Sequence, residues 1–405
     1  MTCEEKIIKT LNILQNLHGV IEYAPTPFDV CMEMTDEIPK SMLLDNSIII
    51  RDAHCGRATL LVASILKMFQ QHKINNEEEN VKILSEIVSN RIYGNDISRA
   101  FSSIATATMQ RILGVCKPIN IYNDTSMSYN RNMNNKHKII SITNPPYQPM
   151  IGVKKGGNEY KPHVLNELKQ APLFGVANIP MTFMVQDPYD RQNVDFRNKL
   201  LKAGLKKVKH IRPDAYKANV LTVYIVWEQG YEGDVEFVTY DIDDVNKNHT
   251  LCIPRKDLYN LGIWPVARNK KDFDLALEIL SYKKRSYKNI SNKPSEKADW
   301  CVEWEYLIGL EKERLNRKEP VRGIIKRGPN DTVRGGNKSK FVNVISEDAA
   351  DSLVDFFKTV GQVWQQCIPR GSSVENWMMG PVIQMWLDQN PQYASSDLFK
   401  QNFVI

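Results

Sequence analysis

The chain has 405 residues, 42% of them hydrophobic and 25% charged, with a net charge of +6, which is enough for two domains that each bury a core. It holds no apolar run of bilayer-spanning length and no signal-peptide pattern at Met1, so the expected protein is cytoplasmic, with no membrane partner. Its seven cysteines lie far apart without a C-x-x-C pair, which argues against a zinc site or a disulfide framework and for reduced thiols.

The first half alternates short apolar runs with helical periodicity. Ser47 to Arg51 reads as a strand ending at Asp52, followed by a helix from Thr59 to Phe69. Arg91 to Tyr93 is a second strand, closing on Gly94-Asn95-Asp96 before a helix from about Ser98 to Leu113. Ile119 to Tyr122 closes on Asn123-Asp124, and Lys138 to Thr143 closes on Asn144. Continuous apolar strands separated by helices predict an α/β, doubly wound, mostly parallel sheet, which binds ligands beyond the carboxyl ends of its strands. Each of these strands ends in a polar residue at that edge. Val220 to Trp227 reads as a later strand, and helices are expected at Phe273 to Leu280 and Ala349 to Gln366.

Charge is unevenly spread. Between Glu311 and Lys340 there are ten lysines or arginines against four acids, interleaved with Gly323, Gly328, Gly335 and Gly336. A charged stretch is often only a solvated surface, yet glycine-rich basic loops are also a way of following phosphates. A second basic cluster, Lys283-Lys284-Arg285-Ser286-Tyr287-Lys288, carries an aromatic ring among its cations.

The most informative stretch is Asn144-Pro145-Pro146-Tyr147 at the end of the fourth strand. Two successive prolines fix the backbone here, so the Asn144 side chain and the Pro145 carbonyl face one point rigidly. Two acceptors beside an aromatic ring suit an exocyclic amine on a flat base. The amine's lone pair is delocalised into the base, and acceptors on its protons draw the nitrogen toward tetrahedral geometry. Tyr147 can stack on the base, a contact worth about 1–3 kcal/mol.

In order and content these motifs resemble the N6-adenine DNA methyltransferases of restriction-modification systems, the gamma class with the Asn-Pro-Pro-Tyr motif, over roughly residues 20 to 230. In that family the first strand runs into a loop similar to Asp-Pro-Ala-Cys-Gly-x-Gly-x-Phe. Here Asp52-Ala53-His54-Cys55-Gly56-Arg57-Ala58-Thr59-Leu60 occupies the loop, with Asp52, Cys55 and Gly56 in agreement and Ala53 and Ala58 departing. The resemblance implies S-adenosylmethionine as cofactor, held by Thr26 of Tyr23-Ala24-Pro25-Thr26-Pro27 and by Asp52, Cys55, Gly56, Asp96 and Asp124. Taken singly, Asp96 or Asp124 would read as a helix N-cap. Catalysis is assigned to Asn144, Pro145, Pro146 and Tyr147, and Tyr216 is the candidate for the second face of a flipped base.

Pro180-Met181-Thr182-Phe183-Met184 resembles the fifth-strand region, and Gly152-Val153-Lys154-Lys155-Gly156-Gly157 reads as a loop able to close over substrate. The implied organisation is a catalytic domain over 1–244 and an α+β target-recognition domain over 245–405, where Arg314, Arg317, Arg322, Lys326 and Arg327 are the candidate DNA contacts. Double-stranded DNA is the expected partner, with a companion restriction endonuclease admitted by the resemblance. Two alternatives stand beside this reading: the same motif acting on RNA or a protein glutamine, and a DNA-binding relative weakened in catalysis by Ala53 and Ala58.

Overall fold

The computed structural model describes residues 1–16, 26–114, 119–126, 138–147, 160–185, 191–212, 215, 221–240, 247–282, 290–291, 299–305, 324–328, 339–368 and 376–394. The chain forms two compact units. The first comprises Met1–Met181, Asp195–Val238 and Cys252–Tyr259, and the second Thr182–Val194, Thr239–Leu251 and Asn260–Ile405. The division is therefore not a single cut, and the expected boundary at 244 falls in residues 241–246, outside those described.

The large sheet has nine strands: β1 (Ile48–Asp52), β2 (Ile92–Asn95), β3 (Asn120–Tyr122), β4 (Lys138–Thr143), β5 (Phe174–Pro180), β6 (Leu205–His210), β7 (Thr222–Glu228), β8 (Val235–Tyr240) and β9 (Asn248–Ile253). Their order is β3-β2-β1-β4-β5-β7-β6-β8-β9. Strands β1 to β5 pair in parallel, and β7 runs antiparallel between β5 and β6. Every residue of β1 and β5 is buried, as in strands of a parallel sheet covered on both faces, and β1 accordingly opens on the apolar run Ile48-Ile49-Ile50.

The helix Thr59–His72 explains how β1 is covered. Ten of its fourteen residues are buried, because it packs against β1 and also against the helices Cys3–Asn16 and Phe28–Asp36. A helix apolar nearly all round is one enclosed on all sides. Close packing also fixes the β5–β7 seam. Gly175 lies opposite Trp227, and a Cβ there would come within 2.0 Å of the Trp227 ring.

The second unit is α+β. Its antiparallel sheet, of order β10-β13-β11-β12, uses β10 (Ile290–Ser291), β11 (Trp300–Glu305), β12 (Ile324–Arg327) and β13 (Ser339–Val344). Helices Lys270–Ser281, Glu347–Phe356, Gln362–Cys367 and Asn376–Gln389 accompany it, with Trp304, Trp364 and Trp386 buried. The expected doubly wound α/β fold with a second α+β unit is thus what forms. Two local readings differ: Lys326 and Arg327 sit on a strand instead of a loop, and the fifth strand ends at Pro180, so that Thr182–Val185 is a short helix. Among the described residues no helix is long and apolar enough to cross a membrane.

Candidate active site

Strands β1, β2, β3 and β4 all deliver their carboxyl ends to one edge, and the polar residues there are tied together by backbone and side-chain hydrogen bonds. Asn95, 1% exposed at the end of β2, is the hub. Its Nδ2 donates to the carbonyls of Ala53 (3.3 Å) and Asp124 (3.0 Å), and its Oδ1 accepts from the Asp124 amide at 3.0 Å. The Cys55 amide donates to the Asn95 carbonyl at 2.8 Å. The loops after β1 and β3 are thereby locked to the end of β2.

Asp96 holds the first loop from the other side. Its carboxylate accepts from the Gly56 amide at 3.0 Å and from the Ser98 amide at 2.8 Å. Gly56 has φ +52 and a Cβ on it would meet nothing within 4 Å, so its left-handed backbone borders open space. Ala58 is also left-handed, at φ +70, where the family loop has glycine. The conformation costs alanine on the order of 1–2 kcal/mol, offset in part by a fully buried methyl.

Asp52 is 1% exposed, and burial is the main cause that pushes its carboxyl up to about 7, with Glu167 and Asp96 adding to the rise. Hydrogen bonds from the His54 amide (3.0 Å) and the Thr143 hydroxyl pull the other way. Burial likewise raises Asp96, and it drives the Cys55 and Cys31 thiols well above their ordinary range, with help from neighbouring carboxylates. Such a site favours a cation, whose charge would favour the ionised form of Asp52.

The Asn144 side chain is held at both ends. Its Nδ2 donates to Thr26 Oγ1 at 2.8 Å, and its Oδ1 accepts from the Tyr147 hydroxyl at 2.7 Å. Burial raises the Tyr147 phenol, so its hydroxyl stays a donor. Pro145 is buried and Pro146 half-buried. Thr143, one residue earlier, is fully buried and faces Asp52 and His54, so consecutive residues serve two different networks.

Thr26, Asp52, Cys55, Gly56, Asp96, Asp124, Asn144, Pro145, Pro146 and Tyr147 therefore gather along one sheet edge. Tyr216, Arg314, Arg317 and Arg322 lie outside the described residues, as does the loop at 152–157. Lys326 and Arg327 belong to the second unit, on β12, and their charges are engaged. Lys326 pairs with Glu347 at 3.0 Å and Asp351 at 2.7 Å, and Arg327 makes two bonds to Glu303 Oε2, at 2.9 and 2.6 Å. Sequence reasoning missed Asn95, Thr143, His54 and His163. Asn95 stands directly before Asp96, and that adjacency was the available signal.

No protein-family model and no curated protein matches the chain. Solved structures do. The type IIG restriction endonuclease BpuSI is 14% identical, with a TM-score of 0.43, covering 64% of this chain and 34% of its own. A modification subunit of a putative type I restriction enzyme from Vibrio vulnificus YJ016 is 13% identical, TM-score 0.44, covering 84% and 63%. The methyltransferase subunit of a type I restriction-modification system from Streptococcus thermophilus is 16% identical, TM-score 0.40, covering 58% and 51%. The chain spans less than two thirds of each. The chain itself shows a doubly wound α/β sheet, parallel over β1 to β5 and closed by an antiparallel β7, with its polar residues gathered at the carboxyl ends of β1 to β4.

Proposed function

We propose that the chain is a site-specific DNA adenine N6-methyltransferase that acts on a flipped-out base. The observation that carries this reading is the Asn144-Pro145-Pro146-Tyr147 turn at the end of β4, one residue from the Thr143–Asp52 contact. The turn brings an amide oxygen and an aromatic ring to the same edge as two carboxyls, Asp52 buried and Asp96 half-buried, that favour a cation.

The residues present fit S-adenosylmethionine, because Asp52 is a buried carboxyl, Asp96 a half-buried one, and Gly56 opens onto free space. When bound, it supplies an electrophilic methyl group on a cationic sulfur. Asp52 would hold its ammonium, Asp96 its ribose hydroxyls and Asp124 its adenine amine. Ile97, 56% exposed beside Asp96, offers an apolar face to a planar ring.

On the substrate side, Asn144 Oδ1 and the Pro145 carbonyl accept the protons of the adenine amine and localise its lone pair. Thr26 has a second task here. By taking the Nδ2 end of Asn144 it fixes which end of the amide faces the substrate. The Tyr147 hydroxyl occupies the acceptor the amine needs, so an arriving base exchanges one donor for another and then stacks on the ring. Adenine N6 is inaccessible within a duplex, which makes flipping necessary. The left-handed Ala58 keeps the loop conformation that glycine would adopt, which favours a working loop over a weakened one.

The test is Asn144→Ala with labelled S-adenosylmethionine and unmethylated DNA. Transfer should fall by at least a hundredfold, as for loss of a preorganised polar contact, while cofactor affinity stays within a few-fold. Unaltered transfer would sink the assignment.

A further inference from the structure

Behind Asp52 lies a chain of hydrogen bonds that the reaction as described does not use. The Thr143 hydroxyl meets the Asp52 carboxylate, His54 Nδ1 is 3.2 Å from Thr143 Oγ1, and His54 Nε2 is 2.9 Å from His163 Nδ1. Ser126 Oγ lies 3.3 Å from the same His163 nitrogen. The imidazoles meet edge to face, with centroids 4.4 Å apart. Asp52 and Thr143 are buried, whereas His163, on the helix Tyr160–Lys169, is partly exposed. The chain thus runs from a closed carboxyl to the surface.

Hydroxyl and imidazole protons give it two polarities. With Asp52 ionised, Thr143 donates to the carboxylate, His54 Nδ1–H donates to Thr143, and His163 Nδ1–H donates to the bare His54 Nε2. With Asp52 protonated every bond reverses, and His54 carries its proton on Nε2. Passing from the second state to the first moves one proton along each link. The carboxyl proton goes to Thr143, the Thr143 proton to His54 Nδ1, and the His54 Nε2 proton to His163 Nδ1. The surplus proton then leaves the His163 imidazolium for water.

We propose that Thr143, His54 and His163 form a proton relay that discharges Asp52 when a cationic ligand arrives, with His54 acting as a positioning residue of the cofactor site. The identity of that ligand rests on the methyltransferase reading, whereas the relay itself does not. Other groups facing it are Glu167, Asp96, Arg51 and the thiols of Cys31 and Cys55. Burial, with the neighbouring His163, pushes His54 down to about 3, which keeps its ring neutral and able to reverse. The ammonium of a cofactor would draw the carboxylate form, and Asp52, only 1% exposed, has the Thr143 hydroxyl as a hydrogen-bonded neighbour able to take its proton.

Two measurements on the full chain test this. Nitrogen NMR of labelled histidines, without ligand, should show the His54 proton moving from Nε2 to Nδ1 as pH rises from 5 to 9. One unchanged His54 tautomer throughout overturns the relay, whatever the protein binds. The second reads S-adenosylmethionine affinity against pH. In the wild type it should rise with pH and level off once Asp52 is ionised. Thr143→Val should move that midpoint up by about one pH unit, a loss of up to about tenfold in affinity below it. His54→Phe should move it the same way by less. A purely structural role would lower thermal stability and leave the midpoint in place, and an unmoved midpoint in both variants overturns the proposal. If the wild type binds no S-adenosylmethionine, the function assignment falls and the NMR result alone decides the relay.

Discussion

Asn144 and Asp52 illustrate how the same sheet edge serves polarity in one residue and burial in another. Asn144 is fixed by Thr26 and capped by Tyr147, so the Tyr147 series separates ring from hydroxyl. Tyr147→Phe should keep most of the transfer rate, because the ring remains and the Asn144 oxygen is released. Tyr147→Ala should lose the stacking, about 1–3 kcal/mol or roughly ten- to a hundredfold in kcat/KM for DNA. Equal losses in both would assign the work to the hydroxyl. Asp52 makes the opposite case. Its folded pKa, about 7, lies above the ordinary carboxyl value, so it contributes most to stability at acid pH and progressively less as pH rises through 7. Asp52→Asn should therefore stabilise the ligand-free protein at pH 8 by on the order of 1–3 kcal/mol and lose that gain at pH 4, while cofactor binding collapses. Thermal unfolding at both pH values reads this out. A gain that persists at pH 4 would show that Asp52 is not buried in its neutral form.

At the scale of elements, β1, β2 and β4 bury most of their residues, and β3, which buries none, is still marked by the polar residues that close it. The strand ends, with Asp52, Asp96, Asp124 and Asn144 at or just after them, were legible for that reason. What escaped has physical reasons as well. Strand β6, Leu-Lys-Lys-Val-Lys-His, buries only three of its six residues, and its lysines are paired with Glu228, Glu37 and Glu33, partners that come from distant segments. The strands of the second sheet look basic and loop-like because Lys326 and Arg327 find acids only after β11 and the helix Glu347–Phe356 have formed beside them. His163 could not be linked to His54 across 109 residues of sequence. A buried ion pair shows the same dependence on distant partners. Arg51 on β1 meets Glu167 at 2.6 Å, with both side chains fully buried, and Ser141 donates to the same oxygen at 2.7 Å. Glu167→Ala should cost about 3–5 kcal/mol, because it strands the guanidinium, whereas replacing Arg51 and Glu167 together by leucine should cost far less. Denaturant unfolding of the single and double variants distinguishes the two. Equal costs would mean the pair is not what holds β1 to the helix Tyr160–Lys169.

For the whole molecule, methyl transfer is proposed at the edge of the large sheet and DNA contact at the basic stretch between Glu311 and Lys340. The ion pairs of Lys326 and Arg327 make them weak candidates for phosphate contacts, so neutralising both should leave the salt dependence of DNA affinity nearly unchanged. Neutralising two of Arg314, Arg317 and Arg322 should flatten its slope by about two units without altering cofactor affinity. If the slope is unmoved in both sets, residues 245–405 lose their assignment as the DNA-reading part. The proposed activity turns on which atom is methylated. Its most direct measurement incubates the protein with labelled S-adenosylmethionine and unmethylated genomic DNA, digests the DNA to nucleosides and identifies the labelled one. N6-methyladenine is expected from the wild type and none from Asn144→Ala. Label on cytosine, on RNA or protein in place of DNA, or equal label from both proteins would contradict it.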